Sequence, residues 1–358
     1  MQEMTAEALR IFEKASLNMA WYNRLVENRE VIAEQLDAMA YIMEDCAKKQ
    51  KNITEECRSN LQDIAYRARE RGIKVIDEQL WEKENGRWQL VMKVMVKDGC
   101  VTTRELTKAV AGALNRRMIP EKDTKTLIGK GVNLYTYEEE PRFQAIYGVA
   151  RMVKDGAAVS GDNFSFLEPE SGKMVMCLSD GMGSGSLACK ESEMVIELVE
   201  KFLEAGFDVE TAARMMNSAM VMKGQEDLFS TVDISELDLY DGTCRFYKIG
   251  AAATFIRRNG IVECLISTSL PVGVSYKLDM EKSEKDLYNG DFLVMVSDGV
   301  LEYLHVPNPE ETMQEIIESI ETNNATILAK RILERVLLFT GGKAADDMTV
   351  LATAIWEK

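Results

Sequence analysis

The chain has 358 residues, of which 46% are hydrophobic and 28% charged, and 59 acidic residues against 43 basic ones give a net charge of −16. That balance supports more than one globular core and argues against a nucleic-acid partner, because a phosphate backbone repels an acidic surface. The single histidine, His305, removes a Ser-His-Asp triad, a His-rich zinc site and histidine-based phosphotransfer. It precedes Val306-Pro307-Asn308-Pro309 and reads as an ordinary loop residue. The seven cysteines are scattered and form no CxxC, which fits reduced thiols in a cytoplasmic chain. No apolar run approaches the roughly 18 residues of a membrane span.

Residues 1–55 read as a helical arm, with no Pro or Gly from 4 to 50. Leu25, Ile32, Leu36, Met39, Met43 and Cys46 fall at heptad-like spacing, compatible with a coiled-coil or dimer seam or with a helix packed on its own domain. Residues 56–141 read as a small α/β domain, with helices near 55–71 and 102–116 and strands at 73–80, 87–97 and 132–138. From 142 to 358 strands dominate. They are expected at 142–153, 164–167, 174–178, 229–239, 243–249, 253–258, 261–266, 291–297 and 348–356, with the four from 229 to 266 forming a meander. Helices are expected at 186–205, 208–222, 309–321 and 325–339. Met215, Met216, Met220 and Met222 suit core packing. Antiparallel strands with inserted helices suggest an α+β sandwich of two sheets with helical flanks.

One phrase occurs twice. Met174–Leu178 leads into Ser179-Asp180-Gly181, and Phe292–Val296 leads into Ser297-Asp298-Gly299. An apolar strand delivering a carboxylate at its end is costly unless a cation or donor meets it. If 164–167 and 174–178 pair as a hairpin, Asp162 falls opposite Asp180, and two facing carboxylates need compensation. Asp346-Asp347, just before the last strand, adds a third acidic point. An oxygen-only donor set of this kind suits Mg²⁺ or Mn²⁺ rather than Zn²⁺. A dinucleotide loop at Gly181-Met182-Gly183-Ser184-Gly185 is the weaker reading, because a second helix follows where that motif expects a strand and an acid. No cysteine has the C-x5-R spacing of a cysteine-based phosphatase, and no Walker loop is present.

In order, Ser160-Gly161-Asp162, Ser179-Asp180-Gly181-Met182-Gly183, Ser297-Asp298-Gly299 and Asp346-Asp347-Met348-Thr349 resemble the PPM (type 2C) metal-dependent protein serine/threonine phosphatases. Gly148-Val149-Ala150-Arg151, Ser230-Thr231-Val232-Asp233 and Leu270-Pro271-Val272-Gly273 look like the stage II sporulation protein E branch of that family. The resemblance implies a PPM-type α-β-β-α sandwich over residues 142–358. It also implies two Mn²⁺ or Mg²⁺ ions, with Asp180 bridging, the Gly181 carbonyl on one ion, and Asp298 and Asp346 on the other. Asp162 stands beside that second ion, and Asp347 occupies a position where many relatives have Asn. Asp162, Asp180, Asp298 and Asp346 are the implied catalytic set, hydrolysing phosphoserine by attack of metal-activated water.

The upstream Arg of eukaryotic relatives has no match, although Lys154 is near, and Gly161 replaces their acidic residue before Asp162. By resemblance, the substrate is a phosphorylated anti-anti-sigma factor. A tubulin-like division protein would bind the regulatory region, and self-association would run through the N-terminal helix. Full-length relatives are tethered to the membrane at the division septum. The alternative is a weak or inactive PPM-fold scaffold acting through its N-terminal region.

Overall fold

The computed structural model describes residues 50–358 apart from 84–85, 123, 170–171, 184, 223–228, 276 and 340. The heptad stretch of the arm, and with it the coiled-coil and self-association expectations, lies outside the described residues, as does Ser184. The described residues fall into two compact units, 50–142 and 143–358.

The described part of the first unit holds β1 (Gln50–Asn52), α1 (Arg58–Glu70), β2 (Ile73–Lys83), β3 (Trp88–Val96), β4 (Val101–Thr102), α2 (Thr103–Leu114), β5 (Met118–Pro120), β6 (Leu127–Ile128) and β7 (Asn133–Glu139). Five strands form one antiparallel sheet in the order β1-β2-β3-β7-β5, and β4 pairs with β6. Apolar residues recur at helical spacing in both helices, so each buries one face. Leu61, Ile64 and Ala68 of α1 join Leu106, Val110 and Leu114 of α2 over Leu90, Met92, Tyr135 and Tyr137 of the sheet. Helix α2 stops at Asn115, which takes a left-handed conformation that asparagine tolerates better than most residues.

The second unit continues with β8 (Phe143–Met152), β9 (Asp162–Leu167), β10 (Lys173–Gly181), α3 (Ser186–Glu204), α4 (Val209–Met222), β11 (Ser230–Asp238), β12 (Thr243–Ile249), β13 (Thr254–Arg258), β14 (Ile261–Leu265), β15 (Glu281–Asp286), β16 (Phe292–Val296), α5 (Asp298–Glu302), α6 (Pro309–Glu318), α7 (Ala325–Phe339) and β17 (Met348–Glu357). Two five-stranded antiparallel sheets result, ordered β15-β12-β11-β10-β9 and β14-β13-β16-β17-β8. Because side chains alternate along a strand, β10 sends Met174, Met176 and Leu178 between the sheets, where they meet Phe246, Ile256, Leu293, Met295 and Leu351. Its alternate residues Val175 and Cys177 point the other way, under Val195 and Val199 of α3 and Ala212 and Met216 of α4. Helices α6 and α7 cover the second sheet in the same manner, with Met313, Ile317, Leu328 and Ile332 over Val294, Val296 and Val350. The layers are those of the expected α-β-β-α sandwich.

The expected meander is divided between the sheets. Strands β11 and β12 belong to one and β13 and β14 to the other, with the chain turning the corner at 250–253. Strand β15 and helix α5 are additional to the expected elements. Met215, Met216 and Met220 are buried, as core packing requires. His305 is exposed in a loop with φ 52. Among the described residues no helix is long and apolar enough to cross a membrane.

Candidate metal centre

Four strand ends bring the acidic residues to one end of the sandwich. Strand β9 begins at Asp162 and pairs with β10 so that Asp162 lies directly opposite Asp180, in the register the hairpin reading required. Strand β16 ends just before Ser297-Asp298, and its last pair, Val296 with Val350, sets it beside the start of β17. Two bonds lock this junction: Ser297 N–H donates to the Thr349 carbonyl at 3.0 Å, and Thr349 N–H donates to Ser297 Oγ at 2.9 Å.

The glycine of each Ser-Asp-Gly phrase is demanded by a close backbone approach. A Cβ on Gly181 would stand 2.2 Å from the Ala188 carbonyl oxygen at the start of α3. A Cβ on Gly299 would stand 2.2 Å from the Asp347 carbonyl oxygen and 3.3 Å from Asp346 Cβ. The glycines therefore let α3 close over Asp180 and let Asp298 approach the Asp346-Asp347 pair.

The carboxylates grade from buried to exposed. Asp162 is fully buried, Asp180 is partly exposed and Asp298 is exposed. Burial is the main force pushing the Asp180 carboxyl up to about 11; its hydrogen bond with the Asp298 carboxyl and the charges of Asp162 and Asp298 act in the same direction. Burial also raises Asp162. The Thr349 and Ser297 hydroxyls oppose that rise, and the charges of Asp347 and Asp298 add to it. Those hydroxyls face Asp162 without satisfying it, for neither of its oxygens has a partner of hydrogen-bond geometry, and neither does Thr349 Oγ1. Glu302 of α5 is raised by burial and by the charges of Asp298 and Asp346. Asp298 and Asp346 thus act on one common neighbour.

Asp346 and Asp347 divide their work. Asp347 is buried, and its two oxygens accept the N–H groups of Lys154 at 2.9 Å and Gly161 at 2.7 Å. It clamps the 153–161 loop to β17. Asp346 is about a third exposed, and the Lys154 ammonium lies 3.6 Å from its Oδ1. Among the described residues no group of three or more His, Cys, Asp or Glu side chains is already drawn together tightly enough to hold a metal ion. The set is an open one, with Asp162, Asp180 and Asp298 in mutual contact or influence and Asp346 at the rim.

A divalent cation fits an observation of this structure. Two buried carboxylate oxygens without partners, facing a second carboxyl that holds its proton far above the ordinary range, form an oxygen-rich site short of positive charge. Sequence reasoning missed several supporting residues. Ser230 Oγ donates to the Asp180 carbonyl at 2.8 Å and lies 3.0 Å from Ser179 Oγ. Arg151 Nη2 donates to the Asp162 carbonyl at 2.7 Å. Both belong to motifs legible in the sequence, but their bonds go to backbone atoms and leave no spacing signature.

The family model described as Stage II sporulation protein E (SpoIIE) matches residues 170–355. The chain belongs to the stage II sporulation protein E family. The matched stretch of this family includes Asp180, Asp298, Asp346 and Asp347 and leaves Asp162 outside. Stage II sporulation protein E of Bacillus subtilis (strain 168) is 28% identical over 333 residues, covering 93% of this chain and 40% of that protein. The chain therefore spans about two fifths of that relative's length. A solved structure of the PP2C phosphatase domain and a fragment of the regulatory domain of SpoIIE from Bacillus subtilis matches with a TM-score of 0.66 and 27% identity, covering 94% of this chain and 98% of that one. The phosphatase domain of the same protein, solved in a crystal form without domain swapping, matches with a TM-score of 0.51 and 33% identity, covering 62% of this chain and 96% of that one. The sandwich of this family member is thus a PP2C phosphatase fold.

Proposed function

We propose that residues 142–358 form a divalent-metal-dependent protein phosphatase that hydrolyses phosphoserine, with residues 56–141 as its regulatory domain. The observation that carries this reading is the buried, unpartnered Asp162 carboxylate set opposite Asp180 at the end of two paired strands. Asp180, the Gly181 carbonyl, Asp298, Asp346 and Asp162 are the residues that would hold two Mn²⁺ or Mg²⁺ ions. Asp347 is assigned instead to the loop clamp, since its oxygens already accept two backbone N–H groups. Bound divalent ions supply an activated water and neutralise the phosphoryl charge.

The chain's own residues supply position. Ser230 fixes the Asp180 backbone, Arg151 fixes that of Asp162, and Asp347 holds the loop between them. By family membership, the substrate is a serine-phosphorylated anti-anti-sigma factor in sporulation control. The regulatory region would receive a tubulin-like division protein at the septum, and the N-terminal helix would mediate self-association.

The test is a Mn²⁺ titration of turnover on a phosphorylated anti-anti-sigma protein and on a generic phosphate ester. Turnover should require the ion and vanish in Asp180→Asn and Asp298→Asn. Turnover that survives chelation, or that both variants retain, refutes the assignment. No turnover at saturating Mn²⁺ favours the scaffold alternative.

A further inference from the structure

A second polar cluster lies inside the sandwich, away from the carboxylate centre. Lys248 and Asp233 stand directly opposite each other on β12 and β11, and both are almost completely buried. Lys248 Nζ donates to Asp233 Oδ2 at 2.5 Å and to Thr254 Oγ1 at 2.8 Å, while Thr254 Oγ1 donates to the same Asp233 oxygen at 2.5 Å. Asp233 Oδ1 has no partner. The three side chains close a ring whose members come from both sheets, β11 and β12 on one side and β13 on the other.

We infer that this Lys248–Asp233–Thr254 ring is a positioning device that sets the two sheets, and so Asp180 and Asp298, at the separation the metal centre needs. The inference rests on the metal-dependent reading above. A buried ion pair is a poor source of stability, because desolvation offsets its attraction and apolar residues of the same volume pack at least as well. What a ring of directional bonds adds is a fixed geometry.

Its place in the register shows what that geometry controls. Asp233 pairs with Leu178, two residues before Asp180 on β10. Thr254 pairs with Met295, three residues before Asp298. Each sheet therefore delivers its Ser-Asp-Gly phrase from a strand that pairs directly with a strand of the ring. A second connection runs in parallel. The Lys248 carbonyl accepts the Ser269 hydroxyl at 3.0 Å, and in the same loop Val272 forms a β-bridge to Ser230, whose hydroxyl donates to the Asp180 carbonyl.

Thr254→Val isolates the claim, because it keeps shape and leaves the Lys248–Asp233 pair intact within one sheet while cutting the link to the other. The full chain is titrated with Mn²⁺ by calorimetry, and its melting and ester hydrolysis are followed in parallel. Thr254→Val should fold with a modestly lowered melting temperature, because two buried charged groups each lose a hydrogen bond, yet bind Mn²⁺ about tenfold more weakly, as outer supporting residues of metal sites typically do when removed. It should lose kcat with little change in KM for a generic ester, and Thr254→Ser should restore Mn²⁺ affinity. Wild-type Mn²⁺ affinity in a folded Thr254→Val overturns the inference and leaves the metal reading standing. Mn²⁺ binding in wild type that Asp180→Asn does not remove overturns the metal reading itself. If Thr254→Val fails to fold, the all-apolar variant Lys248→Met/Asp233→Leu/Thr254→Val carries the same two outcomes. Retained affinity there refutes the ring's role, and weakened affinity in a folded protein supports it.

Discussion

Replacing Asp180 with Asn should stabilise the chelated protein at alkaline pH while abolishing its response to Mn²⁺. In the folded chain the Asp180 carboxyl is pushed up to about 11, first by burial and then by Asp298 and Asp162. In the unfolded chain an aspartate titrates near 3.9. A folded pKa above the unfolded one means that the folded state holds a proton the unfolded state releases. This group's contribution is therefore complete below about pH 4 and is lost as pH rises toward 11. Each pH unit in that window costs at most about 1.4 kcal/mol, so from pH 5 to pH 8 the ceiling is about 4 kcal/mol.

Two features lower that figure. Asp180 keeps an exposed face, and Asp162, raised for the same reasons, shares the burden. A realistic loss is about 1–2 kcal/mol, or about 2–8 °C in melting temperature for a unit of this size. Asn carries no titrating proton, so Asp180→Asn should melt higher than wild type at pH 8 in chelator, and the gap should close at pH 5. Adding Mn²⁺ should raise the wild-type transition and leave the variant unmoved. The assay is thermal melting at three pH values with chelator or Mn²⁺. If Asp180→Asn melts no higher than wild type at pH 8 in chelator and gains as much from Mn²⁺, then the carboxylates are not a strained cation site.

Asp347→Ala should leave the Lys154 and Gly161 N–H groups without their acceptor and cost about 2–4 kcal/mol, while Asp347→Asn, which keeps one acceptor oxygen, should cost about half that by chemical denaturation. Gly181→Ala should fold but lose its Mn²⁺-dependent rise in melting temperature, because the new methyl would meet the Ala188 carbonyl at 2.2 Å and push α3 off Asp180. Gly129→Ala, with nothing within 4 Å, is the matched control and should stay within about 0.5 kcal/mol of wild type.

The parts of this site that were legible in sequence are those governed by the two-residue period of a strand. The facing of Asp162 and Asp180 follows from two short apolar runs about one turn, because a shift of one residue would expose every inward side chain. The repeated Ser-Asp-Gly was legible for a related reason. Strands β10 and β16 are buried on both faces and read as unbroken apolar runs, so a carboxylate at their ends stands out. Strand β15 has no such signal. Its sequence Glu281-Lys282-Ser283-Glu284-Lys285-Asp286 is largely exposed along a sheet edge, where charge discourages further pairing and hides the strand from any hydrophobic pattern. The corner between β12 and β13 was hidden because four residues, Gly250 to Ala253, are as short as an ordinary hairpin loop.

The division of labour between Asp346 and Asp347 lay beyond the sequence for a different reason. Two adjacent acids at a strand start differ only in which side of the backbone each side chain takes, and composition is silent on that. The structure separates them through what each touches. Asp347 turns inward onto two N–H donors of the 153–161 loop, and Asp346 turns out toward Lys154. One carboxylate is consumed in holding the loop, and the other keeps an oxygen facing solvent at the rim of the cluster. Two acids that look redundant in sequence thus make different contacts: Asp347 fixes the loop that leads into Asp162, and Asp346 meets the Lys154 ammonium beside it.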